Sequence, residues 1–399
     1  MKVLLSALAC CPGQGSEPNT GWQWANALAD LGHEVTVLTM SSFRDPIQAA
    51  GADTVDFRFI DIPSSPLGFS RLLWTADVYR RWQDAALRYV RATARRYDVV
   101  HHVTWASLHL GSPLWRLPFP MVYGPIGGGQ TAPASYWRYF RTNWAVESLR
   151  TTSTGPLLRL NSRSRATIRN SAVTLACNSA TAAACERLGA ADIRFMMADG
   201  LTPAWLAEPR RRSTGPPVVL WLGRLIPRKA PTLAIEAFAE LRRVMPAHML
   251  VAGDGPLRER VRATVASLGL ARDIELLGHV PVAEIKALYD SADVFLFTSL
   301  RDSFGGQVLE ALGRGLPTVA LDHQGIADAD FGPAAVKVAL PADPAGLPGR
   351  LAVALRAAVC DEEWHVRSAA AVGWASQHVW PAKAAAATRI YGEILGRRC

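Results

Sequence analysis

The chain has 399 residues, which is enough for two or three domains that each bury a core of their own. Hydrophobic residues make up 49% and charged residues 19%, a balance that excludes wholesale disorder, and no apolar run reaches the roughly 18 residues that span a bilayer. Lys and Arg outnumber Asp and Glu, 43 to 34. The resulting net charge of +9 favours nucleic acid, a membrane surface or phosphorylated ligands as partners.

The N-terminus and the cysteines bear on the cell compartment. Val3 to Cys10 form a short apolar run after one basic residue, which favours a buried first strand over a secretion signal. The six cysteines lack the C-x2-C spacing of a zinc site; they are Cys10, Cys11, Cys177, Cys185, Cys360 and Cys399. Buried or free thiols are typical of a reducing compartment. We therefore expect a cytoplasmic protein, with peripheral attachment at the inner membrane face as an open alternative.

The first half alternates predicted strands and helices. A helix from Gly21 to Leu31 lies between strands at Val3–Leu8 and Glu34–Met40, which is the pattern of a βαβ unit in a parallel sheet. Three more strand patterns follow, at Asp98–His102, Pro120–Tyr123 and Ala172–Ala176. The pattern predicts a doubly wound α/β domain.

A stretch rich in Pro, Arg, Ser and Gly, Glu208 to Pro217, reads as a linker, and the alternation then restarts. Predicted strands lie at Val218–Leu222, His248–Ala252, Ile274–Leu277, Val294–Thr298 and Thr318–Leu321. Predicted helices lie at Thr232–Val244, Leu257–Leu268, Glu284–Ser291 and Gln307–Arg314. We therefore predict two Rossmann-like domains, 1–208 and 209–380, that face a cleft and bind ligands at the carboxyl ends of their strands.

Two loops of the second half bear on phosphate binding, one in favour of it and one against a dinucleotide site. Gly223 to Lys229 follows a strand and precedes a helix, and its Arg224 and Lys229 can bind phosphate oxygens, although a solvated basic turn is the alternative. The Gly253-Asp254-Gly255 turn lacks a third glycine and a following acidic residue, which argues against a dinucleotide-binding dehydrogenase.

The segment from Thr298 to Glu310 is more informative. A strand ends, a loop carries Asp302, Gly305 and Gly306 open a helix, and Glu310 lies about two turns in. Glycines there let a diphosphate approach the backbone N–H groups, and the two carboxylates can accept hydrogen bonds from sugar or ribose hydroxyls.

The ordered set of motifs resembles the retaining glycosyltransferases of family four, which have the GT-B fold. In the second half the similarity is carried by LGRLIPRKAPTLAIEAF, MLVAGDGPLRERV, IELLGHVP, LYDSADVFLFTS and ALGRGLPTVA. In the first half it is carried by GQGSEP, LADLGHEVTVLT, DVVHHVTW and GPIGGG. The tail VWPAKAAAATRIYGEIL resembles the family's last helix, which implies that residues 381–399 return to the first domain.

The resemblance implies a role for each matching residue in the second half. Gly223 with Arg224 and Lys229 would hold the donor diphosphate, and Asp302, where the family usually has Glu, would contact the transferred sugar. Glu310 would bind the donor ribose. Backbone groups would bind the distal phosphate at Phe304, Gly305 and Gly306 and the nucleobase at Gly278, His279 and Val280.

In the first half, the resemblance implies that Gly13, Gln14 and Gly15 cover the diphosphate. It also implies that His102, or its neighbour His101, lies near the reacting carbon. With Arg224, Lys229 and Asp302, His102 completes the predicted catalytic set.

The activity implied by the resemblance is transfer of a sugar from a nucleoside-diphosphate sugar to a hydroxyl with retention of configuration, without a metal or other cofactor. The acceptor stays open among natural products, glycans and lipid-linked glycans. A DxD pattern, Asp328-Ala329-Asp330, binds metal in another glycosyltransferase fold, but a chance match in a loop is the preferred interpretation. A sugar-nucleotide epimerase or a phosphorylase on the same scaffold is the nearest alternative function.

The basic first half remains without an assigned partner. Its arginines concentrate in residues 71–96 and 138–169, among Trp74, Trp82 and Trp137. A solvated face, an anionic membrane surface and an anionic acceptor site are all open interpretations. A nucleic-acid-binding protein is a distant alternative because the sequence has no recognition-helix or aromatic-sheet motif, so we predict no nucleic-acid partner.

Overall fold

The computed structural model describes residues 1–13, 15–51, 53–63, 71–212, 214–359 and 361–397. Its strands, in chain order, are β1 (Lys2–Ser6), β2 (Glu34–Met40), β3 (Asp56–Ile60), β4 (Val99–His102), β5 (Met121–Ile126), β6 (Val173–Ala176), β7 (Ile193–Phe195), β8 (Val218–Leu222), β9 (His248–Ala252), β10 (Ile274–Gly278), β11 (Val294–Phe297), β12 (Thr318–Leu321) and β13 (Ala335–Val338).

The α-helices are α1 (Ser16–Asp30), α2 (Arg44–Ala49), α3 (Arg71–Ala92), α4 (Trp144–Leu160), α5 (Ser162–Asn170), α6 (Ser179–Leu188), α7 (Pro231–Arg242), α8 (Arg258–Ser267), α9 (Val282–Asp290), α10 (Gly306–Gly313), α11 (Leu347–Ala358), α12 (Asp361–Ser376) and α13 (Trp380–Gly396). Helices follow most of the strands, as the alternating sequence pattern predicts.

The chain divides into two compact units. The first unit is Met1–Gly129, Thr154–Gly200 and Trp380–Cys399, and the second is Gln130–Ser153 with Leu201–Val379. The last helix therefore groups with the first unit, as the resemblance implies. Residues 130–153, which the predicted range 1–208 included, instead group with the second unit. The reason is apolar burial: Tyr136, Tyr139 and Phe140 are buried in the core of the second unit.

The first unit is built on a seven-stranded sheet with the order β3-β2-β1-β4-β5-β6-β7, and every pairing in it is parallel. The interior residues of β1 are fully buried, as expected for a strand covered on both faces. On one face α1 packs against α13, and Trp24 and Tyr391 are fully buried there.

The second unit has a six-stranded parallel sheet with the order β10-β9-β8-β11-β12-β13. The strand order reverses between β8 and β11, and in open α/β sheets ligands bind beyond the carboxyl ends of the strands at such a reversal. The loops that follow β8 and β11 therefore define the edge where a site is expected. The predicted two-sheet α/β fold class is confirmed.

No helix in the described part of the chain is long and apolar enough to cross a membrane.

Candidate active site

The loop after β8 is tied to the loop after β9 by backbone hydrogen bonds. Leu225 N–H donates to the carbonyl of Asp254 at 3.0 Å, and Leu257 N–H donates to the carbonyl of Leu225 at 3.0 Å. Gly253, with φ of 131°, lies so close that a Cβ there would be 1.9 Å from the carbonyl oxygen of Gly223. A side chain at Gly253 would therefore force the two loops apart.

Lys229, from the loop after β8, is almost fully buried, with 6% of its surface exposed. Its ammonium lies 4.8 Å from the centre of the Phe297 ring and 2.5 Å from Oδ2 of Asp302. It also donates to Oε1 of Gln307, at 3.4 Å. A buried ammonium requires such polar partners because desolvation disfavours an isolated charge. The structure thus brings Lys229 and Asp302 together from two neighbouring strands.

Asp302, in the loop after β11, accepts from two cations. Arg228 Nη1 lies 3.0 Å from the same Oδ2 that Lys229 contacts, and Ser299 Oγ donates to it at 3.3 Å. Burial by itself would raise the pKa of Asp302, but the positive charges of Lys229 and Arg228 outweigh burial and hold the pKa below its usual value. Asp302 is therefore an ionised hydrogen-bond acceptor at neutral pH.

Helix α10 begins directly after the loop that carries Asp302. Gly305 has φ of 109°, and a Cβ on it would lie 2.4 Å from Cζ of Phe297, so this turn requires glycine. Phe304 is buried and stacks on Trp374, with ring centres 6.0 Å apart. The first N–H groups of α10 thus lie at the end of the loop that carries Asp302, the partner of Lys229, and a helix start of this kind favours an anion.

Glu310 lies in the second turn of α10. Tyr289 OH donates to Oε2 of Glu310 at 2.9 Å, and burial raises the pKa of Tyr289 well above its usual value, so the phenol stays a neutral donor. Trp205 Nε1 donates to the backbone carbonyl of Glu310 at 3.0 Å. The Tyr289 hydrogen bond orients the carboxylate that the resemblance assigns to ribose.

The predicted nucleobase segment lies beside the same loops. Gly278 ends β10 with φ of 68°, and its carbonyl accepts from the N–H of Gly253 at 2.7 Å. His279 is exposed and Val280 is half-buried. A small cavity is lined in part by Leu225, Gly253 and Gly278. Arg224 is exposed, and its predicted contact with phosphate stays a prediction.

In the first unit, His101 and His102 end β4 and both side chains are fully buried. Nδ1 of His102 lies 2.9 Å from Ser6 Oγ, and its Nε2 lies 3.0 Å from Tyr79 OH. Desolvation by burial lowers the pKa of His102 to about 3 and that of His101 to about 4. His102 is therefore a neutral, enclosed side chain in this structure, and its catalytic role stays a prediction.

The loop after β1 carries the remaining predicted residues. Gly13 and Gly15 have φ of 72° and 73°, in the left-handed region that favours glycine, and Gly15 precedes α1. Gln14 lies outside the described residues. The predicted contact of this loop with a diphosphate stays a prediction.

Four polar residues of the site were not predicted from the sequence: Arg228, Tyr289, Gln307 and Gln324. Arg228 adjoins Lys229, and Gln307 lies in the first turn of α10. Because both lie next to predicted site residues, the sequence motifs could have identified them. Gln324 follows β12, whose carboxyl end lies at the same sheet edge as that of β11. Tyr289 carried no signal, because an aromatic residue late in a helix is typical of a core.

Among the described residues, no group of three His, Cys, Asp or Glu side chains is placed to hold a metal ion. In the DxD pattern, Oδ1 of Asp330 accepts from the N–H of Gly332 at 3.0 Å, a bond typical of a turn.

Comparisons with known proteins match both halves of the chain. The family model described as "Glycosyltransferase Family 4" matches residues 21–196, and "Glycosyl transferases group 1" matches residues 206–329. The chain belongs to glycosyltransferase family four. The resemblance inferred from the motifs is thereby confirmed, and the chain is a glycosyltransferase.

Individual proteins support the same assignment. The glycosyltransferase is 28% identical over 321 residues to a 2-deoxystreptamine glucosyltransferase of Streptomyces kanamyceticus, covering 76% of this chain and 80% of the relative. It is 28% identical over 388 residues to a glycogen synthase of Mycobacterium tuberculosis, covering 92% and 88%. The structure of Anabaena HepE in complex with UDP-glucose matches with a TM-score of 0.62 at 16% identity, covering all of both chains. The last similarity concerns the fold, which is GT-B.

Proposed function

We propose that this glycosyltransferase moves a sugar from a nucleoside-diphosphate sugar to an acceptor hydroxyl, with retention of configuration and without a metal ion. The observation that carries the proposal is the meeting of Lys229 and Arg228 with Asp302 at the start of α10. This arrangement combines cations and helix N–H groups for a diphosphate with a carboxylate for sugar hydroxyls.

Each part of the donor has a matching group in the second unit. Lys229, Arg224 and the N–H groups at Gly305 and Gly306 suit the diphosphate, because cations and a helix start attract phosphate oxygens. Glu310, oriented by Tyr289, suits the ribose hydroxyls. The complex of Anabaena HepE with UDP-glucose supports a nucleotide sugar as the donor class.

The transfer breaks the bond between the anomeric carbon and the phosphate oxygen, and the bonding pair leaves with the diphosphate. A bond from the acceptor oxygen to the same face of the anomeric carbon replaces it. The acceptor proton passes to the departing phosphate oxygen, so charge and protons balance. Lys229 and the α10 N–H groups stabilise the negative charge that develops on the leaving group.

Metal independence rests on the same charges. Around the loop after β11, Arg228 and Lys229 both pair with the carboxylate of Asp302. A third cation, Arg301, pairs with Glu147, so cations outnumber carboxylates in these ion pairs. Cations in such a site can do the work that a divalent ion does elsewhere, which is to neutralise a leaving diphosphate. An epimerase or phosphorylase would use the same donor groups and differs in what accepts the sugar.

The acceptor is proposed as a hydroxyl of a natural product, a glycan or a lipid-linked glycan, the three classes that the sequence leaves open. A cytoplasmic location remains part of the proposal, with peripheral membrane contact through the basic first half as an open alternative.

The proposal is tested with a panel of UDP-, GDP- and ADP-sugars. A donor should raise the melting temperature, since a ligand of the native state stabilises it by mass action. With that donor, release of nucleoside diphosphate should depend on acceptor, persist in EDTA, and yield by NMR a product with the donor's anomeric configuration. Inversion would refute the retaining mechanism, and loss of activity in EDTA would refute metal independence. Acceptor-independent conversion of the donor would favour the epimerase.

A further inference from the structure

The loop that carries Asp302 is held by the side chain of Gln324. Oε1 of Gln324 accepts from the N–H of Asp302 at 2.7 Å, and its Nε2 donates to the carbonyl of Thr131 at 2.5 Å. The amide group of Gln324 thus connects Asp302, the residue proposed to contact the sugar, with the segment 130–153. Both bonds are formed within the second unit.

The backbone at Gln324 is unfavourable for a residue with a side chain. Its φ is 55°, in the left-handed region where glycine is preferred. Gly325 follows so close to the same loop that a Cβ would lie 2.0 Å from the carbonyl oxygen of Ser303. Glycine at position 324 would relieve the strain, so the presence of glutamine points to a role for its side chain.

A second contact from segment 130–153 reaches the neighbouring residue. Glu147 on α4 is 7% exposed, and its Oε1 lies 2.7 Å from Nε of Arg301 and 3.5 Å from Nη1 of Arg150. Burial lowers the pKa of Arg301, and Glu147 opposes that shift. Removing one partner of a buried pair leaves the other charge uncompensated. Arg301 and Asp302 are therefore both held by segment 130–153, one through an ion pair and one through Gln324.

We propose that Gln324 and Glu147 are positioning residues that set the place of Asp302 against the transferred sugar. The inference rests on the proposed function. The groups assigned to the diphosphate and ribose, which are Lys229, the start of α10 and Glu310, have their own supports. Loss of Gln324 or Glu147 therefore affects handling of the sugar and leaves binding of the nucleoside diphosphate intact.

The test compares Gln324→Gly and Glu147→Gln with the wild type. The first variant removes both amide contacts and relieves the backbone, and the second keeps the shape of the side chain and removes its charge. Matched controls are Gln377→Gly, whose side chain has one weak exposed contact at 3.5 Å, and Glu240→Gln, whose partner Arg243 is exposed. UDP and UDP-glucose, with GDP and GDP-mannose in parallel, serve as the nucleotide and the sugar donor.

Both variants should bind the nucleoside diphosphate within about twofold of wild type, while kcat/KM for the sugar donor falls roughly tenfold, as loss of a buried hydrogen bond predicts. Amide hydrogen exchange at Asp302, measured without nucleotide, should accelerate in Gln324→Gly alone, since only that variant removes the acceptor. The two controls should match the wild type in every measurement.

Equal loss of nucleotide binding and transfer in the two variants would overturn the inference, since it would indicate a structural role. Wild-type transfer in Gln324→Gly, or wild-type exchange at its Asp302 amide, would overturn it as well. Failure of the wild type itself to bind or use a nucleotide sugar would instead refute the proposed function. In that case the exchange measurement still tests the contact between Gln324 and Asp302.

Discussion

Nζ of Lys229 lies 2.5 Å from Oδ2 of Asp302, so the buried cation of the loop after β8 is paired with the carboxylate of the loop after β11. Phe297, on β11, lies under the ammonium. A diphosphate that binds Lys229 therefore competes with Asp302 for the same positive charge. The two residues are linked by charge, so removing the negative charge of Asp302 alters what Lys229 can bind.

The first prediction concerns Asp302→Asn. Removing the carboxylate ends its competition for Lys229, so we expect UDP to bind several-fold more tightly by calorimetry. We expect kcat for sugar transfer to fall at least about tenfold, because an ionised acceptor for the sugar hydroxyls is lost. Asp254→Asn, which changes an exposed partner of Arg258, is the control. Weaker UDP binding in Asp302→Asn would contradict the competition.

The second prediction concerns Tyr289→Phe, which removes the hydrogen bond to Glu310. The carboxylate proposed to bind the ribose loses its orientation, so the dissociation constant for UDP should rise by roughly three- to tenfold, the effect of one lost hydrogen bond. Because the ribose lies away from the bond that breaks, kcat should change little. Tyr89→Phe, on the partly buried face of α3, is the control. An unchanged dissociation constant would show that the orientation of Glu310 does not contribute to UDP binding.

The third prediction concerns acid stability and His102. Its pKa of about 3 lies below the usual 6.5, so between these values the unfolded chain binds a proton that the folded chain does not. Its contribution to stability is complete above pH 6.5 and is lost as pH falls toward 3, at up to about 1.4 kcal/mol per pH unit. His102→Gln should reduce the slope of unfolding free energy against pH between 6 and 4. His248→Gln, at an exposed position, should leave it unchanged.

Urea unfolding at a series of pH values measures that slope. A slope in His102→Gln equal to that of the wild type would mean that the imidazole reaches solvent, contrary to its complete burial.

The fourth prediction concerns Gly305→Ala. A Cβ 2.4 Å from Phe297 in a backbone with φ of 109° forces the start of α10 away from Lys229. We expect a loss of about 2 kcal/mol in unfolding free energy and weaker UDP binding. Gly373→Ala, inside α12 with open space around it, should instead be neutral or stabilising by up to about 1 kcal/mol. Thermal unfolding distinguishes the two, and equal melting temperatures would contradict the account.

Much of the fold could be predicted from the sequence because the patterns that mark its strands and helices are local. The buried strands β8, β9, β11 and β12 read as short apolar runs, and the observed bounds agree within a residue or so. The edge strand β13 was not predicted: Ala335–Val338 is four residues long and follows a loop containing Gly332 and Pro333. Lys337 interrupts its apolar residues, so β13 lacks the continuous apolar run of the buried strands.

The site was predicted in part for the same reason. Lys229, Asp302 and Glu310 follow strand ends in recognisable motifs, whereas Tyr289 and Gln324 act through tertiary contacts that no local pattern encodes. The placement of residues 130–153 in the second unit is likewise set by burial of Tyr136 and Tyr139 against distant residues. The resemblance implies a catalytic role for His102, which stays a prediction, but the sequence does not reveal that the side chain is fully buried.

The central claim is that the second unit binds a donor diphosphate through Lys229. The most direct test is calorimetric titration of UDP, GDP and ADP into the wild type and into Lys229→Ala. We expect one of the three nucleotides to bind the wild type and to bind Lys229→Ala roughly 10- to 100-fold more weakly, the effect of losing a buried charged hydrogen bond. Arg243→Ala, which removes an exposed cation, should bind like the wild type. Wild-type affinity in Lys229→Ala would contradict the claim.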